Sequence, residues 1–356
     1  MLIFLAVSIT MASNACAKQK SYYVEGVLFG HPLHVRVDHK LAATMLTNRQ
    51  DSSVAKSLAS YRNAELSSEL LEDITRKYSL NVSTLFFAER LYGQGKNRQL
   101  QDYYLSAIDT LPMAEVDRLL SSLQDFHVVF VPAFNYESNT GSFLQQRELL
   151  DAARISNEIV KVQPWGLVAD NAKMIAQRLQ EISRQRSNII IVSASKGSLE
   201  TAIALGEILK PDELGAVKGW INACGILKGS PAADYWAVPL RRYWLSCGLF
   251  FVGKQPNLTQ LLGDLSYNRR KQDAQTLVIP ASVYTINLIA VGLGKRKDRT
   301  KMLVPNDGYS PLLDEIVGGG DVVMEVGSNH TFANVDLNIR LVALLRYLVG
   351  WQQSNK

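Results

Sequence analysis

The stretch from Asn188 to Leu205 constrains the fold of this chain more than any other. Four β-branched residues, Ile189, Ile190, Ile191 and Val192, give way to Ser193-Ala194-Ser195-Lys196-Gly197, after which Leu199, Ala202, Ile203 and Leu205 recur at helical spacing. An unbroken apolar run belongs to a strand covered on both faces, as in a parallel sheet, and the periodic segment after it to a helix. The turn between them departs from G-x-S-x-G, the sharp strand-to-helix turn that presents a nucleophilic serine, only in having Ser193 for the first glycine. Such a turn needs small residues two before and two after the nucleophile, because the strand and helix backbones nearly touch there. Ser193 and Gly197 meet that need and leave Ser195 as the candidate nucleophile.

A serine hydroxyl attacks only when an imidazole takes its proton, and the imidazole needs an acid to fix its tautomer. Histidine is scarce, with five in 356 residues. His31, His34, His39 and His127 precede the serine. His330 alone follows, in Val326-Gly-Ser-Asn-His-Thr-Phe332, just past a strand-like run. For the acid, Val304-Pro-Asn-Asp-Gly-Tyr-Ser-Pro311 places Asp307 in a turn, while Asp314 falls in a predicted helix and Asp321 at the start of a predicted strand. The oxyanion formed by attack needs preorganised N–H donors. The amide of Lys196, at the start of the helix, is one candidate. Phe134, in the loop Val131-Pro-Ala-Phe-Asn135, is the other, with Ala133 and Asn135 as its neighbours in contention.

The remaining chain alternates strand and helix from residue 121 onward. Strand-type runs lie at Phe126–Pro132, Glu158–Val162, Lys218–Leu227, within residues 275–290 and at Asp321–Val326. Helical patterns cover Phe143–Ile155, Ala169–Arg186 and roughly Asn334–Leu348. That order implies a mainly parallel sheet with helices on both faces, over residues 121–356. An apolar insertion at about 235–268, with Trp236, Tyr243, Trp244, Phe250 and Phe251, interrupts it. It reads equally as a lid offering apolar surface to the site and to a lipid surface, or as a helix pair packed on the core. Residues 18–120 read as a hairpin (Tyr22–Gly30, Leu33–Val37) followed by a mostly helical accessory region, with Ser83 and Thr110 as expected N-caps and Gly93–Arg98 as a break.

From about Asp125 to Leu348 the chain resembles an α/β-hydrolase of the bacterial lipase/esterase-like kind. The resemblance is carried by Val-Pro-Ala-Phe134, Asn171-Ala172, Ser-Ala-Ser-Lys-Gly197, Lys228-Gly-Ser-Pro-Ala-Ala-Asp234, Asn306-Asp-Gly308 and Gly327-Ser-Asn-His330, in that order. It implies an ester hydrolase with Ser195, Asp307 and His330 as its triad, acting without a cofactor on a small-molecule or lipid-like ester; thioesters and amides share the same machinery. The order Ser…Asp…His is the one this family uses. Ser193, Ala133 and Ser198 stand where lipase-like members carry glycine. Residues 18–120 lie outside the resemblance and leave open a non-catalytic binding protein built on the same scaffold.

Composition excludes other classes. The net charge of +5 is mild, and no basic block marks a nucleic-acid arm; Lys295-Arg296-Lys297-Asp298-Arg299 reads as a solvated loop. No His/Cys/Asp/Glu set has metal-ligand spacing. Ser193-Ala-Ser-Lys196 also spells S-x-x-K, but the partner motifs of that chemistry do not follow. Residues 1–17 read as a signal peptide ending at Ala15-Cys16-Ala17, which predicts a secreted or periplasmic protein, with a lipid anchor at Cys16 the lesser alternative. Cys224 and Cys247 would then remain, either paired or as two buried thiols.

Overall fold

In the computed structural model the Ile189–Ala194 run is the central strand of a six-stranded parallel sheet. The structure describes residues 21–110, 120–138, 142–251, 257–272, 277–294 and 300–354. The leader with Cys16, the basic run and all but the last residue of the helix expected over Met113–Leu120 lie outside them. In chain order the strands are β1 (Tyr22–Leu28), β2 (His31–Val37), β3 (His127–Val131), β4 (Ser156–Ile159), β5 (Ile189–Ala194), β6 (Val217–Ala223), β7 (Tyr284–Val291) and β8 (Asp321–Val326). The helices of the first part are α1 (Lys40–Thr47), α2 (Ser52–Ser57), α3 (Ser68–Lys77), α4 (Leu80–Tyr92) and α5 (Gly95–Thr110). Those that follow are α6 (Leu144–Ala152), α7 (Val168–Ser183), α8 (Lys196–Ile203), α9 (Pro231–Ala237), α10 (Pro239–Phe251), α11 (Leu258–Asp264), α12 (Tyr267–Gln272) and α13 (Leu337–Ser354).

The sheet order is β4-β3-β5-β6-β7-β8, every pair parallel, so the chain reverses direction of travel at β3/β5 and the carboxyl ends of all six strands open on one edge. Residues alternate between two faces. Val128, Phe130, Ile190, Val192, Ile221, Leu288 and Val323 point to a core closed by α5, α6 and α13. Val129, Val131, Ile189, Ile191 and Trp220 point the other way, under α7 and α8. Against the predicted Glu158–Val162, β4 spans Ser156–Ile159, and its pairing with β3 ends where Phe130 faces Ile159.

The β7–β8 connection supplies, among the described residues, only a short 3-10 turn at Leu312–Glu315, so half of one sheet face has no crossover helix to cover it. The N-terminal region takes that place. Ile289, Val291, Val322 and Met324 share one core with β1, β2 and helices α1, α3 and α4, through Leu28, Met45, Leu71, Leu85 and Phe87. Helix α5 also satisfies the free edge of β8. Asn97 accepts from Val322 N at 2.8 Å, and the Gln101 amide accepts from Met324 N at 2.8 Å and donates to Met324 O at 3.0 Å. Side chains four apart on a helix stand about 6 Å apart along its axis, close to the spacing of alternate residues on a strand, so one helix face reads the strand edge in register. An edge closed in this way cannot recruit another strand.

Two expectations within this region are corrected. Ser83, expected as an N-cap, lies inside α4, buried against α3, with its hydroxyl donating to Leu71 O at 2.7 Å; Ser79 is the cap, accepting from Val82 N. The expected break at Gly93–Arg98 is narrower, since α5 begins at Gly95. The insertion runs through α9–α12, with α10 and α11 lying wholly within residues 235–268. Leu258, Leu261 and Leu262 of α11 are buried, whereas α10 has no buried residue. Among the described residues no helix is long and apolar enough to cross a membrane.

Candidate active site

Ser195 ends β5 and opens α8 with φ 53° and ψ −119°, a backbone conformation that a side-chain-bearing residue holds only when its surroundings impose it. The surroundings are visible. A Cβ on Gly197 would lie 2.3 Å from Pro132 O and 2.8 Å from Val131 O, so the loop after β3 passes directly over the start of α8, and only glycine permits the approach. Ser195 N is held by Ala223 O at 3.0 Å. The serines that stand for glycines form a buried polar pair: Ser193 Oγ and Ser198 Oγ lie 2.8 Å apart, and Trp220 Nε1 donates to Ser193 Oγ at 2.7 Å. Extra hydroxyls at the elbow are thereby satisfied within the fold.

The three residues singled out from chain order meet at the carboxyl edge of the sheet. His330 Nε2 lies 2.9 Å from Ser195 Oγ, and His330 Nδ1 is hydrogen-bonded to Asp307 Oδ2. With Asp307 accepting the Nδ1 proton, Nε2 is left to accept from the serine hydroxyl, the tautomer a general base needs. The Asp307 loop and the His330 loop are also joined through backbone, His330 N donating to Asp307 O at 3.2 Å. Tyr309 packs beside the imidazole, ring centroids 4.7 Å apart at 30°.

Asp307 is fully buried, and its second oxygen accepts from Tyr309 N at 2.8 Å and Ser310 N at 3.0 Å. Burial alone would raise its carboxyl, but His330 and these two amides outweigh that and hold it below the usual carboxylate range. The competing acids are placed elsewhere. Asp314 accepts from Tyr267 OH and pairs with Lys228, each link at 2.7–2.8 Å, and Asp321 accepts from Tyr284 OH at the start of β8. The four earlier histidines sit away from the serine; His127, for example, is buried on β3 against Ser156.

Three features were not legible beforehand. Glu315, wholly buried, accepts from Ser310 Oγ at 2.7 Å, and Ser310 in turn donates its N–H to Asp307. Burial, and next the charge of Asp307, push the Glu315 carboxyl well above the usual range. Cys224 lies beside it; burial and these two acids keep it a thiol, and neither it nor Cys247 is in a disulfide. Cys224, Asp307 and His330 offer donor atoms within 4.8 Å of one another, a grouping that arises because the triad sits on the thiol. No sequence spacing announces Glu315, since a loop brings it back onto Asp307. If it anchors the Asp307 turn, Glu315→Gln, the neutral isostere, retains near-normal turnover, whereas Glu315→Leu leaves Ser310 without its acceptor and lowers kcat about tenfold at unchanged KM. Steady-state kinetics of both variants on one ester decide it.

The third feature is the side chain of Lys196. It is 2% exposed and pairs with Glu200 one turn on, and Asn171 Nδ2 donates to the same Glu200 oxygen at 2.8 Å. Asn171 also binds Gln163 through both N–H (3.1 Å) and C=O (3.0 Å), fixing the loop that carries Pro164 and Trp165. That loop supports the second candidate donor segment: Pro164 O accepts from Asn135 N at 3.4 Å, and Trp165 meets Phe134 edge-on at 4.8 Å. The Asn135 amide is thus committed. The Lys196 amide, first in α8, has no intrahelical acceptor. Only the i, i+4 spacing of Lys196 and Glu200 hinted at the pair.

No family model and no curated protein sequence matches this chain. Solved structures similar to it include a metagenomic carboxyl esterase (19% identity, TM-score 0.48, 63% of this chain and 76% of that one). A Bacillus licheniformis lipase in mature form is similar to the same degree (19%, 0.48), over 63% of this chain and 92% of its own. The phospholipase PlaB of Legionella pneumophila follows at 14% identity and TM-score 0.42, over 64% and 58%. A parallel β4-β3-β5-β6-β7-β8 sheet, a strand–serine–helix elbow and a Ser…Asp…His order meeting at the carboxyl edge together give the chain an α/β-hydrolase fold.

Proposed function

We propose that this protein is a serine hydrolase that cleaves a carboxylic ester through an acyl-enzyme. Ser195 attacks the carbonyl carbon while His330 Nε2 takes its proton; the same imidazolium then protonates the leaving alcohol, and Asp307 stabilises the charge that His330 carries in between. Water, deprotonated by His330, releases the acid and restores the serine. The amides of Lys196 and Phe134 are assigned to the oxyanion. The observation that carries the reading is the continuous Ser195–His330–Asp307 hydrogen-bond chain on an elbow whose backbone is held in a costly conformation.

The ester is apolar. Phe134, Trp165 and the helices of the insertion build one hydrophobic cluster beside the elbow with Leu199 and Ile203 of α8, a setting suited to an acyl or lipid-like group, delivered from a lipid surface. Fluorophosphonate labelling of the full chain, together with p-nitrophenyl esters of short and long acyl chains, tests this. Labelling is expected on Ser195, with long-chain esters preferred; equal labelling of wild type and Ser195→Ala overturns it. Thioester and anilide analogues run alongside separate ester from thioester and amide chemistry. Export belongs to the same proposal on the strength of the leader alone, and amino-terminal sequencing of the mature protein is expected to begin at Lys18.

A further inference from the structure

The outer face of α10 is the largest apolar surface left uncovered among the described residues. Leu240, Tyr243, Trp244, Phe250 and Phe251 are 68%, 61%, 65%, 62% and 85% exposed. Positions 240, 243, 244, 247, 250 and 251 fall on one side of a helix, so these side chains form a single stripe along its length. Leu245 and Leu249, on the opposite side, pack on the cluster that includes Leu261 and Ile226. A helix of a soluble protein turns its apolar stripe inward; this one uses a narrow pair for docking and points the aromatic side at solvent.

The charges of the segment are one-sided. Its described residues carry Arg241, Arg242, Arg269, Arg270 and Lys271, against two acids, Asp234 and Asp264. Both acids are occupied internally: Asp234 accepts from Ser266 Oγ at 2.5 Å and Asn268 N at 3.1 Å, and Asp264 accepts from Val168 N at 2.6 Å and Arg270 at 3.2 Å. Arg241 lies over the Tyr235 ring at 3.9 Å, at the first turn of α10. The segment therefore combines an outward aromatic stripe with an excess of cations, and both of its described acids are taken up internally.

We propose that α10 lies on an anionic lipid surface, with Trp244, Phe250 and Phe251 inserted at the headgroup–acyl boundary and Arg241, at the edge of the stripe, against lipid phosphates. Aromatic and aliphatic residues on one side with basic residues around them are what such a surface binds. A second copy of the chain fits less well. Pairing two copies through this helix would bring the like charges of the two segments together. The proposal extends the hydrolytic reading to where the ester comes from, but its binding measurement does not depend on turnover.

Sedimentation of the full chain carrying Ser195→Ala with vesicles of phosphatidylcholine, with or without phosphatidylglycerol, tests it. Binding to the phosphatidylglycerol vesicles is expected, weakened by added salt. Trp244→Ser/Phe251→Ser is expected to weaken it at least tenfold, and Arg241→Glu/Arg242→Glu to abolish the preference for the anionic lipid. Trp244 and Phe251 are exposed, so the stripe variant keeps the wild-type melting temperature; that of the arginine variant is measured beside its binding, because Arg241 also donates to Tyr235 O. Absence of vesicle binding, or equal binding by the stripe variant, overturns the proposal. So does a stripe-dependent dimer in analytical ultracentrifugation without vesicle binding, which would make a second copy the occupant. Vesicle binding together with a wild-type Ser195 chain that hydrolyses no ester would instead remove the hydrolytic reading and leave this one.

Discussion

Alanine at Ser195 is expected to lower kcat for an activated ester by about 10⁶-fold, and the triple replacement of Ser195, His330 and Asp307 to lower it no further. Non-additivity follows from the geometry. The hydroxyl, Nε2 and Nδ1 form one chain of contacts, so removing the nucleophile leaves the base nothing to activate. Asp307→Ala alone is expected to cost less, about 10⁴-fold, because the imidazole still reaches the serine while its tautomer and orientation are no longer held. KM should change little in both single variants, since neither residue belongs to the apolar cluster proposed to hold the acyl group. Pre-steady-state burst amplitudes separate acylation from deacylation, and a triple variant much slower than Ser195→Ala would show that the residues do not act as a unit.

The largest stability effect is expected at the buried pair under the elbow. Glu200→Leu leaves the Lys196 ammonium and the Asn171 amide without their acceptor in a site where Lys196 is 2% exposed, and should cost about 3–5 kcal/mol. Adding Lys196→Met should restore most of it, because a buried charge is costly chiefly when alone. The Lys196 backbone amide survives both changes, so labelling by a fluorophosphonate should persist wherever the protein remains folded. Glu200 also carries a pH signature. Burial raises its carboxyl to about 7, against the pull of Lys196 and Asn171, while in the unfolded chain it titrates near 4.5. Between those values the folded state holds a proton that the unfolded state has released. This contribution to stability is therefore full below about 4.5 and falls as pH rises through 7, by at most about 3 kcal/mol. Glu200→Gln keeps an acceptor for Lys196 without the titration, and its stability should lack this fall between about pH 4.5 and 7. Denaturant midpoints of the two proteins across that range check the sign.

Some of this architecture could be read directly from local pattern. Ile189-Ile-Ile-Val followed by small residues and a helical period can satisfy its backbone and bury its side chains in few ways, so the strand, the elbow and the serine at its tip follow from composition over a few residues. Scarcity did the same for His330, and the Asp-Gly turn for Asp307. Pattern misled where two local solutions were equivalent. Ser79 and Ser83 both precede a helical period, and burial of Ser83 against α3 chose between them.

What the chain order determined by itself was the identity of the elbow serine and the order of its partners, because those rest on backbone sterics and on elimination among few residues. Tertiary structure alone decided the rest of the site. Residues 21–110 were legible as a hairpin and helices, but not as the missing cover of β7 and β8, since which face a helix protects depends on which crossover helix is absent. Glu315 comes to lie behind Asp307, Ser193 finds Ser198 and Trp220, and α10 turns its aromatic side outward only when distant segments meet. These are long-range contacts whose energies come from burial and unpaired polar groups, and neither quantity is defined until the chain has folded.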